Sequence, residues 1–120
     1  MSAGRLALGR LGEETAAEYL MQEGMQILHR NYRTPRGEID LLALINGTLV
    51  VVEVKSRRSD LYGEGYEAVT IAKQRKLRQL TSMFLSGSDT YYSSIRFDVI
   101  SLLFDSGNTL VSLKHFENAF

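Results

Sequence analysis

Glu38-Ile39-Asp40-Leu41-Leu42-Ala43-Leu44-Ile45-Asn46-Gly47-Thr48-Leu49-Val50-Val51-Val52-Glu53-Val54-Lys55 is the stretch on which the fold turns. Two apolar runs, Glu38 to Ile45 and Thr48 to Lys55, are parted by Asn46-Gly47. Both turn residues tolerate positive φ, so the pair predicts a two-residue type I′ hairpin. Ile45 then faces Thr48, Asp40 falls opposite Glu53, and Glu38 falls opposite Lys55. Alternation places Glu38, Asp40, Leu42 and Leu44 on one face with Leu49, Val51, Glu53 and Lys55. Opposed side chains there have Cβ atoms about 4.5–5.5 Å apart. A longer, bulged loop would shift this pairing.

Outward from the hairpin, Leu6 to Glu23 carries a helical pattern, with Leu6, Gly9, Glu13, Ala16, Ala17 and Leu20 on one arc. Glu14, Glu18 and Gln22 fall off it, and Gly24 is the expected stop. Met25 to Arg33 reads as a strand, and Pro35 with Thr34 and Gly37 marks the connection into the hairpin. Beyond it, Ser56 to Tyr66 reads as a loop. Glu67 to Ser86 is a second helix, with Val69, Ala72, Leu77, Leu80, Met83 and Phe84 inward. Ser94 to Phe104 and Thr109 to Phe116 are strands joined by the turn Asp105-Ser106-Gly107-Asn108. The order αβββαββ predicts one α/β domain over residues 1–120, a mixed five-stranded sheet flanked by helices.

At 120 residues the chain is one domain's worth and large enough to bury a core. It contains no cysteine, which excludes disulfides and thiolate metal sites; oxygen ligands or the two histidines, His29 and His115, remain. Neither histidine has a histidine partner at ligand spacing, and both are expected to be structural. Apolar runs such as Leu49 to Val52 are all far below the roughly 20 residues a membrane span needs. No basic start followed by an apolar run marks a secretory leader, so the expectation is a cytoplasmic protein without a membrane partner. Fourteen basic and fourteen acidic residues give zero net charge, which weighs against an indiscriminate nucleic-acid binder but leaves room for local positive surface.

Two carboxylates set face to face repel each other, and Asp40 and Glu53 therefore need a compensating charge. A hard divalent cation is the natural one, because Mg²⁺ takes one or two carboxylates and fills its shell with waters and phosphate oxygens. Such an ion activates water and offsets charge on a phosphodiester. Lys55, two residues past Glu53, projects to the same side about 7 Å further on, where an ammonium offsets developing phosphorane charge. Each of these residues taken alone fits an ordinary edge-strand charge. Yet the apolar run leading to Glu53 reads as a central strand, buried on both faces, where charges need a reason. Glu13 lies on the inward arc after the small residues Gly9 and Gly12; it serves either as a first-turn acid or as a reach toward the sheet.

Asp40 followed by Val52-Glu53-Val54-Lys55 after a hairpin resembles the signature of the PD-(D/E)XK nuclease superfamily, whose fold is restriction-endonuclease-like. More narrowly, Gly9-Arg10-Leu11-Gly12-Glu13, Asn31-Tyr32-Arg33, Gly37-Glu38-Ile39-Asp40-Leu41, Val52-Glu53-Val54-Lys55-Ser56-Arg57, Val69, Lys73-Gln74, Arg96-Phe97-Asp98-Val99 and Asn118-Ala119-Phe120 resemble the YraN-like bacterial family. That family is similar to archaeal Holliday-junction resolvases. The resemblance implies Mg²⁺ or Mn²⁺ held by Asp40, Glu53 and the carbonyl of Val54, with Glu13 as a helix-borne acidic partner and Lys55 as the catalytic lysine. The superfamily's proline before the aspartate is replaced here by Ile39, and Glu38 is an additional acid.

On the substrate side, Arg33, Arg36, Arg57 and Arg58 are expected in loops flanking the acids. Lys73 and Lys76 share the inward arc of the second helix, and Gln74 matches a polar helix position of the superfamily. A basic rim around an acidic centre suits a phosphate backbone. The expected activity is metal-dependent endonucleolytic hydrolysis of DNA, including branched or structured DNA. The alternative is a non-catalytic nucleic-acid-binding or scaffold protein that keeps the fold. Resolvase-like proteins act as symmetric pairs and a domain this small offers limited grip, so a homodimer is expected.

Overall fold

The computed structural model describes residues 3–59 and 69–120, with side chains from residue 7 onward. Its elements run α1 (Ala3–Gln22), β1 (Gln26–Thr34), β2 (Gly37–Ile45), β3 (Thr48–Arg58), α2 (Ile71–Ser86), β4 (Ser94–Phe104) and β5 (Leu110–Phe116), the order the sequence predicts. The five strands lie in sequence order in one sheet. Neighbours are antiparallel except β3 and β4, which are parallel and joined across α2. The sheet is therefore mixed.

The hairpin forms as its turn chemistry requires. Asn46 and Gly47 both have positive φ, 49° and 78°, and the β2–β3 ladder runs from Ile45↔Thr48 to Leu41↔Val52. Helix α1 ends in a Schellman arrangement: Gly24 at φ 92° donates to the Met21 carbonyl, and the Met25 amide donates back to Leu20. Met25 and Leu20 then pack in the same core, which sets the angle at which the chain enters β1.

Each face of the sheet carries its own core. On one, Ala16, Ala17 and Leu20 of α1 cover Leu41, Ala43, Val50, Val52, Ile100, Leu102 and Phe104. On the other, Leu77 and Leu80 of α2 cover Ile39, Leu42, Leu49, Val51 and Phe97. A sheet covered on both faces accounts for the near-continuous apolar run in β3.

Two boundaries near the site differ from the sequence expectation. Strand β3 continues to Arg58, because β4 pairs with it as far as Arg58↔Phe104 after β2 has left. Helix α2 starts at Ile71, with Thr70 as its N-cap accepting from the Lys73 amide at 3.1 Å, so Val69 is buried but precedes the helix. The expected loop and helix start at 60–68 lie outside the described residues. The inward stripe of α2 is Leu77, Leu80 and Thr81, with Phe84 half-buried; Ala72 and Met83 face outward. Lys73 lies one turn before Leu77 on that stripe. Among the described residues no helix is long and apolar enough to cross a membrane.

Candidate active site

The site lies where β2 and β3 part. Their ladder stops at Leu41↔Val52, one position short of the expected Asp40–Glu53 pair. In place of a backbone partner on β2, the Val54 amide donates to Asp40 Oδ2 at 2.8 Å. Asp40 has thus left the face assigned to it by strict alternation and lies in the gap between the strands. The packing of its neighbours records the same break. Leu41 and Ala43 join the α1 core, but Ile39, two residues before Leu41, joins the α2 core with Leu42. Across from this break Asn31 of β1 has φ 55°, a left-handed residue inside a strand.

A strand residue directs its N–H and C=O to the same neighbour. The Val54 carbonyl therefore faces the gap that Asp40 occupies. Glu53, half-buried, lies on the α2 side, where its Oε2 is 3.6 Å from Lys73 Nζ. Val54 lies on the α1 side, packed against the α1 core.

Glu13 reaches the gap because α1 comes unusually close to β3. A Cβ on Gly12 would stand 1.7 Å from Ser56 Oγ and 2.9 Å from Ser56 Cβ, so only glycine permits this approach. The following residue, Glu13, then lies close enough to Asp40 and Asn31 for both to act on its ionisation. Of its two sequence readings, the reach toward the sheet is the one the fold adopts.

The electrostatics are those of crowded carboxylates. Burial, and then the Glu53 charge, push Asp40 up to about 7 from an ordinary 3.8. Hydrogen bonding from Val54 and the charge of Lys73 oppose the rise, and Glu38 adds to it. Glu13 is also raised, first by burial and next by Asp40, with the Asn31 hydrogen bond working the other way. Among the described residues no three carboxylate or imidazole side chains gather closely enough to cage a metal by themselves. Two carboxylates and a main-chain carbonyl form the donor set that Mg²⁺ accepts while keeping several waters.

The remaining expected residues divide. Lys55 follows Glu53 on the α2 side of β3 and is half-buried. Arg33, Arg57 and Arg58 belong to strands rather than loops: β1 runs one residue further, to Thr34, and β3 three residues further, to Arg58. Arg33 pairs with Glu38 at 3.6 Å, and Arg36 is exposed in the β1–β2 turn. Arg58 is engaged elsewhere, donating to the Asp105 carbonyl and the Asn108 side chain in the β4–β5 turn. Gln74 donates to the Val69 carbonyl at 2.9 Å and so fixes the chain entering α2, whereas the exposed Lys76 lays its stem against Gly37.

A second polar cluster was not anticipated. Asp98, fully buried on β4, accepts from Arg96 through both oxygens at 2.9 and 3.0 Å and from the Asn118 amide at 3.1 Å. It also meets His115 Nε2 at 2.7 Å, while His115 Nδ1 meets the Tyr19 hydroxyl at 2.9 Å. The signal was available: a carboxylate inside Phe97-Asp98-Val99-Ile100 is a buried charge and needs partners. This network ties α1, β4, β5 and the C-terminal residues together, giving His115 the structural role expected of it.

Fold and site define an α/β domain with a mixed five-stranded sheet and a crowded carboxylate pair at a strand divergence. Residues 12–102 match the model of a family described as "Uncharacterised protein family UPF0102", and the chain belongs to that family. It is 44% identical over 118 residues to a UPF0102 protein of Rhodococcus opacus, covering 98% of this chain and 99% of that one. It is 43% identical over 120 residues to one of Pelotomaculum thermopropionicum, covering all of both. A third, from Caldicellulosiruptor saccharolyticus, is 40% identical over 94% of this chain and 96% of its own.

Proposed function

We propose that this protein is a divalent-metal-dependent nuclease of the PD-(D/E)XK type, hydrolysing phosphodiester bonds in DNA. The observation that carries the reading is the state of Asp40. It is held between Glu13 and Glu53 and pushed up to about 7, at a gap into which the fold also directs a main-chain carbonyl. A carboxylate pair this costly is best offset by a dication, and buried like charges of this kind concentrate at catalytic sites.

Asp40, Glu53 and the Val54 carbonyl would hold the ion, with Glu13 as a helix-borne acidic partner. When bound, Mg²⁺ or Mn²⁺ supplies the Lewis acid that activates water and offsets charge on the phosphate. Lys55 orients the attacking water and stabilises charge developing on the phosphate oxygens. Lys73, already beside Glu53, draws the substrate phosphate toward the acids. Arg33, Arg36 and Lys76 line the approach from β1 and α2 and contact the sugar–phosphate backbone without reading sequence. The resemblance to Holliday-junction resolvases points to branched DNA as a substrate.

The test incubates purified protein with labelled single-stranded, duplex, flap and four-way-junction DNA in Mg²⁺, Mn²⁺ or EDTA. Asp40→Asn and Lys55→Ala proteins of verified fold run in parallel. Cleavage that requires metal and disappears in both variants is the expected result. Metal-independent binding with no cleavage of any substrate would instead favour a non-catalytic scaffold.

A further inference from the structure

On the α2 side of the sheet, beyond the acids, a groove of about 370 Å³ opens between β1 and the C-terminal end of α2. Its walls are His29, Tyr32, Phe84 and Tyr92, with Ser88 and Thr90 contributing hydroxyls from the segment after the helix. The rings pack against Phe84 as a hub: His29 and Tyr32 meet it nearly edge-on at 5.6 and 5.5 Å, and Tyr92 is tilted at 6.4 Å. The core closed by Leu77 and Leu80 does not require His29, which remains exposed at its rim.

We infer that this groove binds an unpaired nucleobase of the nucleic acid engaged at the acids. A base has apolar faces and polar edges, matching walls that combine aromatic rings with hydroxyls. Among the described residues the groove lining contains no carboxylate. Three cations lie near its Tyr32 end, about the β1–β2 turn. Arg33 adjoins Tyr32 with 76% of its side chain exposed, Arg36 follows in the turn, and Lys76 lies over Gly37.

The spacing connects groove and acids through one tripeptide. Asn31 lies beside Glu13 on the acid side, Tyr32 lines the groove, and Arg33 pairs with Glu38 at the outer edge. The left-handed Asn31 allows consecutive residues to face these different ways. Tyr32 pairs with Ile39, the residue before Asp40, so the Cα atoms of Tyr32 and Asp40 are about 6 Å apart across the ladder. That is close enough for one substrate strand to reach both. In a duplex the faces of the bases are stacked and hidden, so the groove selects nucleic acid with unpaired nucleotides. This selectivity deepens the nuclease reading, on which its placement beside a scissile phosphate rests.

The experiment measures binding in EDTA, where cleavage plays no part, by fluorescence anisotropy of a labelled single-stranded oligonucleotide and a blunt duplex. A second oligonucleotide containing 2-aminopurine reports stacking. His29→Ala and Tyr92→Ala proteins, with unchanged circular dichroism and denaturation midpoints within the error of the parent, are compared with it. Each is expected to lose about 5- to 100-fold in single-strand affinity and the 2-aminopurine quenching, with duplex affinity within about twofold. Unchanged single-strand affinity, an equal loss on duplex, or no single-strand binding by the parent protein would overturn the inference. If the protein cleaves DNA with metal but the groove variants bind normally, the groove reading alone fails. If the groove variants behave as expected but no metal supports cleavage, the nuclease reading alone fails.

Discussion

Replacing Asp40 by Asn should make the metal-free protein more stable, and the gain should grow with pH. The native carboxyl ionises only near 7, because burial and Glu53 disfavour its charge, whereas in the unfolded chain it ionises near 3.8. A group whose folded pKa is raised contributes stability that is present at low pH and lost as pH rises through the folded value. The interval from 3.8 to about 7 corresponds to about 4 kcal/mol lost by pH 8. At pH 5 less than half of this has been lost. Asparagine is neutral throughout and its amide oxygen still accepts from the Val54 amide, so the variant avoids the loss. Urea denaturation in EDTA at pH 5 and pH 8 should show the gap between variant and parent widening by about 2–3 kcal/mol. Millimolar Mg²⁺ at pH 8 should then stabilise the parent and leave the variant unmoved, since only the parent retains both carboxylates. A gap that is the same at both pH values, or a variant less stable at pH 8, would refute this account of the site.

Three further outcomes are expected. Gly12→Ala drives a methyl into Ser56 and should cost about 1–3 kcal/mol, measured by urea denaturation, with recovery in the Gly12→Ala/Ser56→Gly double variant; no recovery would mean that Ser56 is not the obstruction. Asp98→Ala removes the partner of Arg96 and His115 from a fully buried position and should destabilise by about 3–5 kcal/mol, and a loss under 1 kcal/mol by the same method would contradict the network. Thr70→Ala removes the cap on α2 and should cost about 0.5–2 kcal/mol in thermal or chemical denaturation, whereas an unchanged midpoint would mean the cap contributes nothing.

How much of this was legible in the sequence differs from residue to residue. Asn46-Gly47 announced both turn and register, and five backbone pairs follow it. The proximity of Asp40 and Glu53 came from the same reading, but the placement of Asp40 did not. Strict alternation assumes an unbroken ladder, and nothing in Asn31 as a letter shows that it takes a left-handed conformation inside β1. Lys73 lies on the inward arc expected from the sequence, which is why it meets Glu53; Ala72 and Met83 leave that arc because it is drawn through Val69, which precedes the Thr70 cap and is not helical. The extra turn of strand in β3 was hidden because Ser56-Arg57-Arg58 is polar, and only the parallel partner β4 makes it strand. The aromatic groove was invisible for a related reason: His29 and Phe84 are 55 positions apart and meet only when α2 lies across the sheet.

The parallel ladder at the centre of the sheet has a consequence for how the molecule comes together. Its partners, from Thr48↔Ser94 to Arg58↔Phe104, are all 46 positions apart, whereas the β1–β2–β3 meander closes through short turns. Closing so long a loop costs chain entropy before any contact offsets it, and such non-local pairing is slow to form. Glu13, Asp40, Glu53 and Lys55 all belong to the local half of the chain. Beyond Leu41↔Val52, however, β3 is held only by β4, so the segment that carries Glu53 and Lys55 takes its final place, like the groove and Lys73, only once the long-range ladder has closed.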